Sequence, residues 1–287
     1  MSGRLAVLIA ALLWSTSGLF MKSPEISAMV PADRAGPLIA LWRSLFCAIL
    51  LLPFVKWSSL RAEKALFGLF GSFALMSVCF ITAMTRSDAG DVIFLQYTAP
   101  FWVLVFNRFG LREPTSRSAV VALLIAMVGV GVIVSLGAGV GDLTGLCLAL
   151  VAGLGYAGVI INLRLLKEQD ALSVMALTQV VTALVLLPFL AGENLLLEGA
   201  QWQWVGGLAV VQYAVPYVFF AWGMKQVTAQ EASMLTLVEP VVNPVWVLVL
   251  WGQAIAFHTL LGGGLILAAL MIRYGSGNSQ TQESVLK

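Results

Sequence analysis

The feature that most limits what this chain can fold into is a series of ten apolar blocks, each near the length needed to cross a bilayer and parted by short polar stretches. Crossing hydrocarbon takes about 20 residues of helix, because backbone groups have no water there and must bond within their own segment. The blocks run 5–21, 37–55, 65–84, 92–107, 118–136, 143–163, 171–191, 205–224, 232–251 and 257–272. Composition agrees, since 60% hydrophobic residues against 10% charged leaves too few charges for a water-facing surface, which usually carries about 25%. The sequence therefore predicts an all-α integral membrane protein of ten transmembrane helices. The first block follows Arg4 much as a signal peptide would, but it has no persuasive small-residue cleavage site and nine more blocks follow, so it reads as helix one. Residues 22–36 and the tail are the long polar stretches, which leaves no room for a soluble domain, and 276–287, rich in Ser and Gln, reads as a disordered cytoplasmic tail.

Cationic loops orient the spans. With the amino terminus inside, the inner segments hold twelve cations (Arg4, Lys56, Arg61, Lys64, Arg108, Arg112, Arg117, Arg164, Lys167, Lys225, Arg273 and Lys287), and the outer loops hold three, Lys22, Arg34 and Arg86. That bias puts both termini in the cytoplasm, and a bacterial inner membrane is the expected location. The net charge of +2 is too small to point to a nucleic-acid partner. Cys47, Cys79 and Cys147 all fall within apolar blocks, which suits packed thiols rather than a disulfide or zinc framework.

The chain also matches itself. At an offset of 140, Met84 falls on Met224, Leu95 on Leu235, Pro100 on Pro240 and Val105 on Val245, while an offset of 142 lays Trp14 on Tyr156 and Lys22 on Arg164. The halves are residues 1–137 and 138–275. Five spans is an odd number, so the second half must enter the membrane inverted, and the cationic loops after spans two and four have counterparts after spans seven and nine without Lys or Arg. Inverted repeats are a common architecture of secondary transporters.

Several runs together resemble an EamA-type member of the drug/metabolite transporter superfamily: Ala-Leu-Leu-Trp-Ser-Thr-Ser-Gly-Leu-Phe-Met-Lys at 11–22, Leu-Trp-Arg-Ser-Leu-Phe at 41–46, Glu239-Pro240 leading to Trp251-Gly252-Gln253, and Leu-Gly-Gly-Gly-Leu-Ile-Leu-Ala at 261–268. The resemblance covers nearly the whole chain. It implies two inverted five-helix repeats around a central cavity, and alternating access without ATP. Gln253 departs from the Glu often found there, whereas Glu113 keeps that pattern in the first half.

Glu239 is the most informative single residue. It lies seven residues into span nine, about 10 Å from the inner boundary, where a charge is costly unless paired, hydrated or protonated. Pro240 and Pro244 are expected to loosen the helix beside it, Pro100 to do so at the equivalent point of the first half, and Asn243 shares its face. It reads either as a substrate or proton site or as a structural carboxylate bonded to neighbouring helices. Arg43, about 9 Å below the outer face, can receive a carboxylate or phosphate, can partner an acidic side chain, or can snorkel to the interface. Trp14, Gln96, Tyr97, Trp102, Tyr156, Tyr213 and Tyr217 can line a pocket, as can Trp222, although Trp and Tyr also favour interfaces. Lys22 and Arg164 read as helix-end anchors. Gly145, Ala149, Gly153 and Ala157 read as a packing stripe that lets another helix approach.

The reading that unites these features is a secondary transporter for a small metabolite or drug-like solute in a lipid bilayer, with protons as a candidate coupling partner through Glu239. A membrane-embedded enzyme and a non-transporting scaffold or sensor are the rival classes. His258 is the lone histidine and lies near a helix end, and the Asp88/Asp91 pair sits in a short outer loop, so no catalytic base, metal site or cofactor is expected. Substrate, direction and oligomeric state stay open.

Overall fold

A computed structural model describes residues 1–29, 32–87, 89–109, 117–137, 143–252 and 257–274. The described residues form helices and turns, without strands. In chain order the helices are α1 (Gly3–Trp14), α2 (Ser17–Met21), α3 (Pro24–Ser27), α4 (Ala32–Leu51), α5 (Lys64–Arg86), α6 (Ala89–Gln96), α7 (Ala99–Phe109), α8 (Arg117–Gly137), α9 (Leu143–Leu165), α10 (Ala171–Leu186), α11 (Gln201–Gly207), α12 (Val215–Gly223), α13 (Ala229–Leu235), α14 (Val238–Trp251) and α15 (Phe257–Tyr274). Of the ten blocks, seven form stretches long and apolar enough to span a membrane: Gly3–Met21, Ala35–Phe54, Lys64–Arg86, Leu143–Leu165, Ala171–Leu190, Gln201–Gly223 and Ala229–Trp251. Among the described residues the other three blocks do not reach that length, so seven rather than ten are counted by length and composition alone. The pair α6 and α7 is interrupted, and in α8 and α15 the described apolar cores, Val120–Val132 and Leu260–Ala269, are shorter than a full crossing.

Three stretches break near their middle, after Trp14, Gln96 and Leu235. The cause is local. Ser15 Oγ donates to the Leu12 carbonyl (2.6 Å), Thr98 Oγ1 to Leu95 (2.8 Å) and Thr236 Oγ1 to Ser233 (2.9 Å), so hydroxyls compete with the helical ladder at each break. Pro100 and Pro240 follow two of the breaks without an N–H, but each lies in the first turn of the helix that restarts, where a proline is tolerated. The expected break at Pro240 is therefore moved back to Thr236 and Leu237, and the Thr236 carbonyl is taken by the Glu239 N–H at 3.0 Å. Pro244 stands inside α14. A fourth irregularity is the π-helical stretch Leu208–Ala214, which joins α11 to α12 just before Pro216.

Small residues set the close helix crossings. A Cβ on Gly155 of α9 would fall 2.9 Å from the Met76 nitrogen of α5, one on Gly223 of α12 would fall 2.9 Å from the Gly3 carbonyl of α1, and one on Gly129 of α8 would fall 2.7 Å from the Gly262 carbonyl of α15. Backbones thus approach without side chains between them, as in other membrane bundles. The stripe on α9 packs as expected: Gly145 abuts Arg86 and Ser87, Gly153 abuts the α6–α7 break, and Ala149 and Ala157 are buried. Cys47 and Cys79 are buried thiols, but Cys147, against expectation, lies on an exposed face of α9 among the described residues.

Asp170 shows how a polar helix start is held. Its carboxylate accepts from the Ser173 N–H (3.0 Å) and hydroxyl (2.8 Å), capping α10, while Ser173 Oγ also accepts from the Lys56 N–H (2.8 Å) and so ties the preceding loop to this end. Partial burial pushes its pKa up, but the two Ser173 hydrogen bonds and the cations Lys56 and Lys225 outweigh that and hold it below the usual carboxylate range. A folded-state pKa lowered in this way adds stability above the unfolded pKa and loses it as pH falls through the folded one. Asp170→Ala is expected to cost about 1 kcal/mol at neutral pH and progressively less in acid, checked by thermal unfolding in detergent across that range.

Candidate functional site

The broken helices converge on a buried polar cluster. Glu239 occupies the first turn of α14, where the helix dipole favours a carboxylate, and the side chain is almost wholly buried. Its Oε2 accepts from the hydroxyl of Tyr97 at 2.5 Å, and Tyr97 itself stands in the break between α6 and α7. Two interrupted helices thus present one hydrogen bond to each other at their interruptions.

Arg43 of α4 lies on another wall, 2% exposed. Its guanidinium sits 3.7 Å above the centre of the Tyr213 ring, and its Nη2 donates to Ser77 Oγ of α5 at 2.8 Å. The Ser77 hydroxyl is in turn 3.1 Å from the Tyr213 hydroxyl. Tyr213 comes from the π-helical stretch, whose extra residue per turn rotates Gln212 and Tyr213 inward.

Between these walls is a cavity of about 30 Å³ lined by Trp14, Arg43, Met76, Ser77, Phe80, Gln96, Tyr156, Gln212, Tyr213, Tyr217 and Glu239. That volume suits one or two waters. Trp14 ends α1 at its break, and its ring meets Tyr217 (4.8 Å between centroids), Phe220 (5.0 Å) and Tyr156 (6.0 Å). Tyr156 also meets the ring of Tyr97 edge-on at 6.4 Å. Arg43 and Glu239 share the cavity without forming an ion pair. The arrangement offers one cation, one carboxylate and several aromatic faces to whatever enters.

Of the residues expected from sequence, Glu239, Arg43, Trp14, Gln96, Tyr156, Tyr213 and Tyr217 line this cavity, and Tyr97 joins it through Glu239. Asn243 and Trp102 are not among the lining residues. The Asn243 amide donates to Ser17 Oγ of α2 at 2.8 Å, beside the Trp246-to-Ser15 bond (3.0 Å), so it holds α14 against the first stretch. Trp102 stacks on Phe106 and meets Phe101 edge-on, all within α7. Trp222 is likewise outside the lining. Arg164 does more than anchor at an interface, since its guanidinium donates to the Met224 carbonyl at 3.0 Å and closes the end of α12. Asp88, Glu113 and Gln253, and the side chains of Asp91 and His258, lie outside the described residues. Ser77, Gln212, Met76 and Phe80 were not anticipated. An amide mid-block, as at Gln96, was a usable signal for Gln212, whereas serine in a membrane helix is too common to single out Ser77.

The sequence model of the EamA-like transporter family matches this chain twice, over residues 1–135 and 143–274. The chain belongs to that family. An uncharacterized transporter of Archaeoglobus fulgidus is 27% identical across 95% of this chain and 96% of its own. The threonine/homoserine exporter RhtA of Escherichia coli K12 is 27% identical over 91% of this chain and 88% of that protein. A solved crystal structure superposes with a TM-score of 0.77 over 94% of this chain and 96% of the other at 17% identity, a likeness of fold alone. Family, relatives and apolar helices together support an integral membrane transporter with a small-molecule substrate.

Proposed function

We propose that this EamA-like protein is a secondary transporter that carries a small polar metabolite by alternating access around the Glu239–Arg43 cavity, with Glu239 as the site of proton coupling. The observation that carries the reading is the Tyr97–Glu239 hydrogen bond, which joins two broken helices at a buried carboxylate. Discontinuous helices meeting near the midplane are the usual seat of substrate and coupling ions in such proteins. A cavity of about 30 Å³ is far below the roughly 300 Å³ that a metabolite needs, so substrate is admitted only when the helices part. Alternating access is that motion.

Ten spans in two inverted repeats, 1–137 and 138–275, complete the proposal. The double family match supports it. So does the pairing of helices: numbering the spans one to ten, an inverted repeat exchanges span n with span n+5. The observed packing of α4 with α10, α8 with α15 and α7 with α13 maps onto itself under that exchange, while α5 with α9 maps onto α12 with α1. The breaks at Tyr97 and Leu237 also correspond at the offset of 140.

Arg43 and Glu239 facing one space suit an amino-acid-like solute, in keeping with the substrates named for RhtA. Reconstitution in liposomes with a panel of labelled amino acids, nucleosides and organic cations tests the whole reading. A pH gradient should drive accumulation of at least one solute; equilibration of none of them would remove the transport reading. The location proposed is a bacterial inner membrane with both termini cytoplasmic. In a background lacking Cys47, Cys79 and Cys147, a cysteine at Gln280 should react with membrane-impermeant maleimide only from the inside, and labelling of intact cells would invert the topology.

A further inference from the structure

The Arg43 guanidinium is a charge buried in the bundle, and among the described residues it forms no ion pair: the groups it touches, Ser77 and Tyr213, are neutral. A guanidinium carries five N–H donors. Here Ser77 takes one of them, the face of Tyr213 takes part of the charge, and Nε–H has no hydrogen-bond partner although it is buried. Buried arginines ordinarily face a carboxylate or phosphate, because a lone buried cation and an unused donor both cost free energy. Glu239 lines the same cavity and would serve as that counter-ion if the site were purely structural, yet its carboxylate is turned to Tyr97 instead. Other residues of the lining also carry buried polar atoms without hydrogen-bond partners, among them Trp14 Nε1 and Gln212 Oε1, so the residues around the cavity hold groups that the protein itself does not use.

From this we infer that Arg43 is the anion-receiving subsite of the cavity, that it takes the carboxylate of the transported solute, and that Ser77 and Tyr213 position it for that contact. The inference rests on the transport reading for its context. Its chemistry is independent of it. Ser77 holds Nη2 on one side and the Tyr213 ring covers one face, so a planar carboxylate reaches the remaining guanidinium donors, the buried Nε–H among them, as the helices part. Cation–π contact with Tyr213 offsets part of the cost of burying the cation and holds the guanidinium in place. Bound solute then supplies the missing counter-ion.

The test is binding rather than transport. The purified full chain in detergent is titrated with the twenty standard amino acids and their carboxamides, and thermal stabilisation is read for each matched pair. At least one acid should stabilise the protein, with its carboxamide binding about tenfold or more weakly, since a hydrogen bond to a charged group is lost. Arg43→Gln should erase that acid-over-amide preference, and Arg43→Lys should restore part of it. Ser77→Ala and Tyr213→Phe should each lower the preference several-fold, and Tyr213→Phe, which keeps the ring over the guanidinium, should do so with the ligand-free unfolding temperature near that of the wild type, which a merely structural role would not do. Equal stabilisation by acid and amide, no stabilisation by any acid, or a preference that survives in Arg43→Gln would each overturn the subsite. The wild-type comparison stands even if Arg43→Gln fails to fold. Acid-selective binding without solute movement in liposomes would instead leave the subsite and remove the transport reading, and transport without acid selectivity would do the reverse.

Discussion

Glu239→Gln should abolish accumulation driven by a pH gradient, or reduce it at least about tenfold, while the protein still inserts and unfolds close to the wild-type temperature. Glutamine has the shape of glutamate and keeps a carbonyl oxygen that can accept from the Tyr97 hydroxyl, now 2.5 Å from Oε2. The loss to folding is then limited to a charge-assisted hydrogen bond becoming a neutral one, together with a weaker fit to the first turn of α14, of order 1 kcal/mol. What glutamine cannot do is gain and lose a proton or meet a cationic group of the substrate with a full charge. If Glu239 carries the coupling proton, equilibrium exchange of labelled for unlabelled solute should survive better than gradient-driven uptake, because exchange needs no net proton movement. Measuring both in the same liposome preparation separates the roles. Normal accumulation in Glu239→Gln, or aggregation of the variant, would return Glu239 to a structural role.

The helical class of this fold was legible in the sequence because a bilayer imposes its thickness on the chain. Blocks of about 20 apolar residues need no tertiary information to be recognised, and the self-match at an offset of 140 shows in residues such as Pro100 and Pro240. The breaks were legible only to within one turn. Proline was the visible cue, but the interruption falls two to four residues earlier, where Thr98 and Thr236 turn their hydroxyls on the backbone. Periodicity cannot show which face of an almost uniformly apolar helix looks inward. That is why Asn243, one turn from Glu239, was expected at the cavity and is instead bonded to Ser17. The same ambiguity hid Ser77, whose importance comes from Arg43 reaching it across 34 residues of sequence.

Gly153→Ala should cost both stability and transport, although adding a methyl to a helix interior normally helps. In an isolated helix the change is favourable by about 0.5–1 kcal/mol, from lower chain entropy in the unfolded state and better helix propensity. At Gly153 the new Cβ would stand 2.5 Å from Thr98 Oγ1, 2.9 Å from the Gln96 carbonyl and 3.0 Å from the Leu95 carbonyl. Two of those atoms are backbone, so relief requires α6 to move away from α9 rather than one side chain to turn. Overpacking of this kind costs about 1–3 kcal/mol, which outweighs the propensity gain. The displaced segment is the one that carries Tyr97, so the hydrogen bond to Glu239 is stretched or lost and most pH-driven accumulation should go with it. Gly71→Ala in α5 is the control, since a Cβ there meets nothing within 4 Å and should be neutral or slightly stabilising. Because both changes act through one contact, Tyr97→Phe added to Gly153→Ala should reduce accumulation by less than the product of the two single effects. Full multiplicativity in liposome uptake would mean that Gly153 acts by some route other than the Tyr97–Glu239 bond.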